Sequence, residues 1–179
     1  MNILAICGSL RKKSTNMGLL RYAQANAPEG STITIADLSA VPFYNADIAE
    51  KPAAVTNLLQ QIGAADALIF GCPEYNYSIA PALKNALDWA SREPDNALLS
   101  GKAVALMGAG GGMGTSRAQY HLRQVCVYVN LHPLNRPEVF ANAFTPAFDG
   151  DGNLVDEKIQ GTIKAQLTAL IDWAKQLKK

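Results

Sequence analysis

The stretch Gly8-Ser9-Leu10-Arg11-Lys12-Lys13-Ser14-Thr15-Asn16 lies between an apolar run and an amphipathic one. Before it, Ile3-Leu4-Ala5-Ile6-Cys7 is continuously apolar, as in a parallel strand covered on both faces. After it, Leu19, Leu20, Tyr22, Ala23 and Ala27 recur at roughly helical spacing. A strand, a hydroxyl-rich loop and a helix therefore follow in order. The start of that helix offers free backbone N–H groups and the positive end of a dipole to an anion. Ser9, Ser14, Thr15 and Asn16 add side-chain donors and Arg11 a fixed positive charge. Taken alone, the stretch reads equally well as a capped helix after a Ser/Gly turn. The rest of the chain separates the two readings.

Four further apolar β-like segments, Thr32–Asp37, Ala67–Cys72, Ala103–Gly108 and Glu138–Ala141, join the first at Asn2–Cys7. They alternate with helical patterns over Asn16–Ala27, Ala53–Ala65, Ala80–Arg92, Ser116–Val129 and Asp156–Lys178. Strict alternation predicts a parallel α/β sheet with helices on both faces, and ligands in such sheets bind outside the carboxyl ends of the strands. Three loops leave those ends with unusual chemistry: Gly8–Thr15, Pro73–Ile79 and Ala109–Thr115. The expectation is that they converge on one site.

The second loop, Pro73-Glu74-Tyr75-Asn76-Tyr77-Ser78, is rich in aromatics where a plain turn would be small and polar. Its proline stiffens the backbone, its tyrosines offer flat apolar faces, and its amides can donate to ring carbonyls. Glu74 reads as an anchor for this loop and Ser78 as the N-cap of the following helix. Tyrosines in such a place also serve simply as packing. The third loop, Gly108-Ala109-Gly110-Gly111-Gly112-Met113-Gly114-Thr115, allows close approach of another group to the backbone. It does not complete G-x-G-x-x-G, and Gly101-Lys102-Ala103 is not a Walker A element.

The bulk numbers point to a single domain over 1–179 with a small-molecule partner. Sixteen basic against fifteen acidic residues leave a charge of +1, with no field for nucleic acid or an anionic membrane. No apolar run reaches the roughly 20 residues that cross a bilayer, and a cytoplasmic location is expected. Cys7, Cys72 and Cys126 are isolated, and His121 and His132 have no spaced partner, so neither a metal site nor a protein nucleophile is expected. Asp149-Gly150-Asp151-Gly152-Asn153 begins like an EF-hand, but Leu154 stands where the turn glycine belongs; it reads as a surface turn. Asp88, Arg92, Arg117 and Arg123 read as a solvated face or as part of a subunit contact.

With the three loops together, the chain resembles the NADPH-dependent FMN reductases, flavodoxin-like enzymes that include quinone, chromate and azo-dye reductases. The resemblance rests on Gly8-Ser9-Leu10-Arg11-x-x-Ser14-x-Asn16, on Pro73-Glu74-Tyr75-Asn76-Tyr77-Ser78, and on Leu83-Lys84-Asn85-Ala86-Leu87-Asp88-Trp89. It implies a flavodoxin-like three-layer α/β sandwich with a five-stranded parallel sheet in the order 2-1-3-4-5. It further implies that Ser9, Arg11, Ser14, Thr15, Asn16 and Met17 surround the FMN phosphate and that Pro73, Glu74, Tyr75 and Asn76 follow the isoalloxazine edge. Gly108, Ala109, Gly110 and Gly111 would close the other side. NADPH or NADH would deliver hydride to the flavin and be replaced by a quinone-like, azo, flavin or metal-oxyanion acceptor in a ping-pong cycle, with no catalytic side chain required. The family resemblance also implies a homodimer or homotetramer, with the helices over Ala80–Arg92 and Ser116–Val129 as candidate contacts. A flavodoxin-like electron carrier and a flavin-binding sensor without NAD(P)H turnover are the alternatives. The near-zero charge argues against an acidic carrier that docks on protein partners.

Overall fold

The computed structural model describes residues 1–178. Its strands are β1 (Asn2–Cys7), β2 (Thr32–Ala36), β3 (Ala67–Gly71), β4 (Glu74–Tyr75), β5 (Ser78–Ile79), β6 (Ala103–Gly110), β7 (His132–Pro133) and β8 (Val139–Asn142). Its helices are α1 (Thr15–Ala25), α2 (Ala53–Ala64), α3 (Pro81–Ala90), α4 (Ser116–Tyr128) and α5 (Glu157–Leu177). The main sheet is parallel in the order β2-β1-β3-β6, and its fifth position is shared by β7 and β8. β7 pairs with the start of β6 at Ala103 and Val104, and β8 with its end from Met107 to Gly110. This is the flavodoxin-like arrangement anticipated, with the last strand broken into two pieces. The stretch His132–Pro133 is too short for a pattern of alternation to reveal.

Pleating sorts the central strands onto two cores. Ile3, Ala5 and Cys7 of β1 and Ile69 of β3 face α1 and α5, meeting Leu19, Leu20, Ile163 and Leu167. Leu4, Ile6, Leu68 and Phe70 face the opposite way onto Val55, Ile62, Leu83, Leu87 and Leu122 of α2, α3 and α4. Burial on both faces explains why β1 and β3 are continuously apolar rather than alternating. The same arrangement leaves the carboxyl ends of β1, β3 and β6 open to carry loops.

Two details differ from the sequence reading. The Pro73–Ile79 loop contains its own antiparallel hairpin, β4–β5, pairing Glu74 with Ile79 and Tyr75 with Ser78. In addition, β6 continues two residues beyond Gly108, because β8 extends the ladder along its edge.

Candidate active site

The three loops meet. A side chain on Gly8 would lie 2.9 Å from the Pro73 ring, and one on Gly108 would lie 2.6 Å from the Cys72 carbonyl. The Asn16 side chain joins the first loop to the third: its Nδ2 donates to the Ala109 carbonyl at 2.8 Å and its Oδ1 accepts from the Ala109 N–H at 2.9 Å. Asn16 is buried, so its amide works as a clamp between loops and not as a free donor. Sequence spacing cannot reveal this, since the partners are 93 positions apart.

Ser14 caps α1 by accepting from the Met17 N–H at 3.1 Å, while the Thr15 and Asn16 N–H groups have no intramolecular acceptor among the described residues. Ser9 is buried and accepts from the Arg11 N–H at 3.4 Å; the Arg11 side chain is exposed. Two buried hydroxyls, two unpaired helix N–H groups and an exposed guanidinium form a donor set suited to a phosphate ester. The Asp149–Asn153 turn braces this start from behind. Asp149 Oδ1 accepts from the Asp151 and Asn153 N–H groups, Lys13 pairs with Asp151 at 2.9 Å, and Arg21 donates to Asn153 Oδ1 at 3.0 Å. These turn bonds, led by the one from the Asn153 N–H, hold the Asp149 carboxyl below its ordinary range. The backbone of Gly152 lies against Gly18, where any Cβ would fall 1.9 Å from the Gly152 carbonyl oxygen. The Asp149–Asn153 segment is a surface turn, and these contacts give it a bracing role.

In the hairpin, Asn76 and Tyr77 both have positive φ, 51° and 68°, as a two-residue type I′ connection requires. Asparagine adopts this conformation readily, whereas tyrosine is strained there. The hairpin is held by α4. Arg117 Nε donates to Glu74 Oε1 at 2.6 Å, the Ala118 N–H donates to Glu74 Oε2 at 3.2 Å, and the Arg117 guanidinium lies 3.7 Å from the centroid of the Tyr77 ring. Glu74 is thus the anchor that its setting suggested. Ser78 is not a helix cap: α3 begins at Pro81 after Ala80 with no side-chain cap, and the Ser78 hydroxyl lies 3.1 Å from His121 Nδ1. Proline suits the first helical position because its fixed φ is helical and its missing N–H would have no intrahelical partner there. Arg117 and Arg123 likewise leave the solvated face assigned to them, Arg123 donating to the Leu134 carbonyl at 3.1 Å.

The glycine loop is partly filled by the chain itself. A Cβ on Gly108 would collide with Thr115 Oγ1 at 1.9 Å, whereas Gly111 and Gly112 have nothing within 4 Å. Close approach at Gly108 is therefore made by Thr115, which is buried and accepts from Gln119 Nε2 at 3.0 Å. Neither Thr115 nor Gln119 carries a sequence signal, because each matters only through the strand it packs against. The three cysteines are free and buried. Burial pushes the Cys72 and Cys126 thiols up to about 12 and raises Cys7 as well, which leaves them neutral and poorly nucleophilic at ordinary pH.

Against this geometry, residues 1–146 match the family described as NADPH-dependent FMN reductase. The chain belongs to that family. It is 48% identical to the NAD(P)H-dependent FMN reductase of Pseudomonas aeruginosa, covering 99% of this chain and 97% of the relative. It is 45% identical to the NAD(P)H:quinone oxidoreductase of Solanum tuberosum, over 99% and 95%. Among solved structures, the FerB flavoenzyme NAD(P)H:(acceptor) oxidoreductase from Paracoccus denitrificans superposes with a TM-score of 0.87 at 30% identity, covering 98% of this chain and 97% of that one. As an FMN reductase it is an oxidoreductase with FMN as cofactor and NAD(P)H as donor, and the donor set at the start of α1 fits the phosphate of that cofactor. No helix among the described residues is long and apolar enough to cross a membrane.

Proposed function

We propose that the three joined loops hold FMN and that this reductase passes two electrons from NADPH or NADH to small oxidised acceptors in a ping-pong cycle. The observation that carries this reading is the start of α1, where Ser9 and Ser14 are buried beside two unpaired N–H groups. Thr15 and Asn16 donate through the backbone to the phosphate, Ser9 and Ser14 through their hydroxyls, and Arg11 pairs with it as a cation; Met17 lies beside them. Pro73, Glu74, Tyr75 and Asn76 border the ring through the hairpin, with Glu74 fixing the hairpin rather than touching the ring. On the opposite side Gly108, Ala109 and Gly110 set the backbone, and Gly111 has the open space that contact needs.

Bound FMN supplies two-electron chemistry, accepting hydride from a reduced nicotinamide and returning the electrons to an acceptor. The chain orients the ring and offers dipoles to the negative charge that gathers on it. An open cleft of this kind accepts quinone-like, azo, flavin and metal-oxyanion compounds; relatives named quinone reductase and FMN reductase support the quinone and flavin part of that range. One domain over 1–179 does this, and the location we infer is the cytoplasm, a reading supported by three unpaired, buried thiols.

We further propose a homodimer or homotetramer formed through α3 and α4. The support is a 520 Å³ groove between them, lined by Leu87, His121 and Tyr128 among others, and the exposure of Val127 (81%) and Tyr128 (79%). A Val127→Glu variant tests it by sedimentation: unchanged mass refutes this contact.

The test of the activity is an anaerobic visible spectrum of the FMN-loaded protein, before and after NADPH and then after a quinone. Bleaching followed by recovery is expected. A bound flavin that neither NADPH nor NADH bleaches would instead favour an electron carrier or sensor, and failure to bind FMN would refute the site.

A further inference from the structure

Beside the flavin loops lies a second cleft of about 280 Å³, lined by Leu10, Leu38, Val41, Phe43, Tyr75 and Ala82, with Gly8, Ser39, Pro81 and Asn85 completing it. Its chemistry is unlike that of the neighbouring hollow lined by Arg11 and Asp37. None of its lining side chains carries a formal charge at neutral pH. Its size is close to the lower bound of about 300 Å³ for ligand clefts, which suits part of a molecule rather than a whole one. Leu10 and Tyr75 belong to the first and second flavin loops, so the cleft opens directly from the site.

One wall is built to stay in place. The segment after β2 crosses α3 as a strap, and two buried side chains of α3 hold it. Asn85 Oδ1 accepts from the Tyr44 N–H at 2.8 Å, Asn85 Nδ2 donates to the Pro42 carbonyl at 2.9 Å, and Trp89 Nε1 donates to the same carbonyl at 2.8 Å. The Tyr44 ring stands edge-on to Trp89 with centroids 5.1 Å apart. These bonds fix the backbone on both sides of Phe43, whose side chain is nevertheless 74% exposed. Holding a strap so firmly while leaving its aromatic residue in water is what a preorganised apolar wall requires.

Resting on the proposed quinone reduction, we infer that this cleft binds the alkyl or isoprenoid substituent of a neutral quinone while the quinone ring lies against the bound flavin. Continuity through Leu10 and Tyr75 supports a substituent of the acceptor as occupant, and the absence of charge excludes an oxyanion or a sulfonated dye from this cleft. Phe43 is then a specificity-determining residue for tailed acceptors. Each methylene buried there is worth a factor of about four in affinity, about 0.8 kcal/mol, so a few of them give tenfold or more.

The experiment compares 2,3-dimethoxy-5-methyl-1,4-benzoquinone with its 6-decyl derivative, using the FMN-loaded protein and its Phe43→Ala and Phe43→Asp variants; the exposed position allows both to fold. Equilibrium dialysis of each quinone against the oxidised protein, without donor, reads binding apart from turnover; kcat/KM with NADPH reads it in catalysis. Expected are a tenfold or greater preference of the native protein for the decyl compound in both measurements, a loss of most of that preference in both variants, and unchanged rates of flavin reduction. Equal binding of the two quinones by the native protein, or a preference that survives both substitutions, overturns the inference. So does release of FMN by the decyl compound, which would make the cleft the flavin's own, or a change of oligomeric mass in the variants with the preference intact, which would make it a subunit contact. If neither quinone is turned over, the proposed activity falls, while the dialysis still decides the cleft.

Discussion

Cutting the tie between the β4–β5 hairpin and α4 should have unequal effects depending on which partner is removed. The Glu74 carboxylate side chain is 7% exposed, against 38% for Arg117. Arg117→Ala therefore leaves a carboxylate with little access to water, supported only by the Ala118 N–H at 3.2 Å. Breaking a buried pair in that way costs about 3–5 kcal/mol, and because the pair is partly open we take the lower bound, about 3 kcal/mol. Glu74→Ala leaves a guanidinium that can hydrate and that keeps its place over Tyr77, so the loss is that of hydrogen bonds to a charged group, about 1.5 kcal/mol. In a domain of this size each kcal/mol moves Tm by about 2–4 °C. The expected falls are roughly 6–12 °C for Arg117→Ala and roughly 3–6 °C for Glu74→Ala. The double variant should melt above Arg117→Ala alone, because no buried charge is then left unpaired. Calorimetric melting of the four proteins, with FMN affinity by fluorescence quenching alongside, reads the cycle. Equal losses for the two single variants, or a double variant no better than Arg117→Ala, would refute the reasoning, and unchanged FMN affinity throughout would detach the hairpin from the flavin.

Ser14→Ala removes the cap on the Met17 N–H and should cost about 1 kcal/mol in stability, with a larger proportional loss of FMN affinity; denaturant unfolding and flavin titration separate the two. Gly108→Ala, whose methyl group meets Thr115 Oγ1, should destabilise by about 1–3 kcal/mol, whereas Gly111→Ala should leave stability unchanged and alter only flavin binding. The three buried thiols should resist a maleimide at pH 8 until the protein is unfolded, as counted by mass spectrometry. The bonds that Asp66 accepts from Lys178 and the Asn2 N–H hold its carboxyl below the ordinary 3.8. Its contribution is accordingly full above pH 3.8 and fades as pH falls through the lower folded value. Asp66→Asn should flatten the acid limb of stability by less than about 1 kcal/mol, the site being one-third exposed, and an unchanged limb would refute the assignment.

The sequence by itself determined the layers, the order of elements and the ends of the sheet that carry loops. Those properties follow from local periodicity: β1 and β3 are apolar on both faces, α1 begins where Ser14 can cap it, and Pro73 and Gly8 interrupt strands. It also marked Glu74 as an anchor, since an acid among aromatics has few other uses. Only the tertiary structure decided what each marked residue touches. Asn16 was read as a donor to an anion and proves to clamp Ala109, Ser78 caps nothing, and Arg117 turns from solvent onto Glu74 and Tyr77. Asn85 and Trp89 stand in a motif that carries the family resemblance, but nothing in it shows the strap that they hold. Backbone periodicity is fixed by neighbours three or four positions away, whereas these contacts join residues about 40 to 90 positions apart, and which of them meet depends on the crossover that lays one loop beside another.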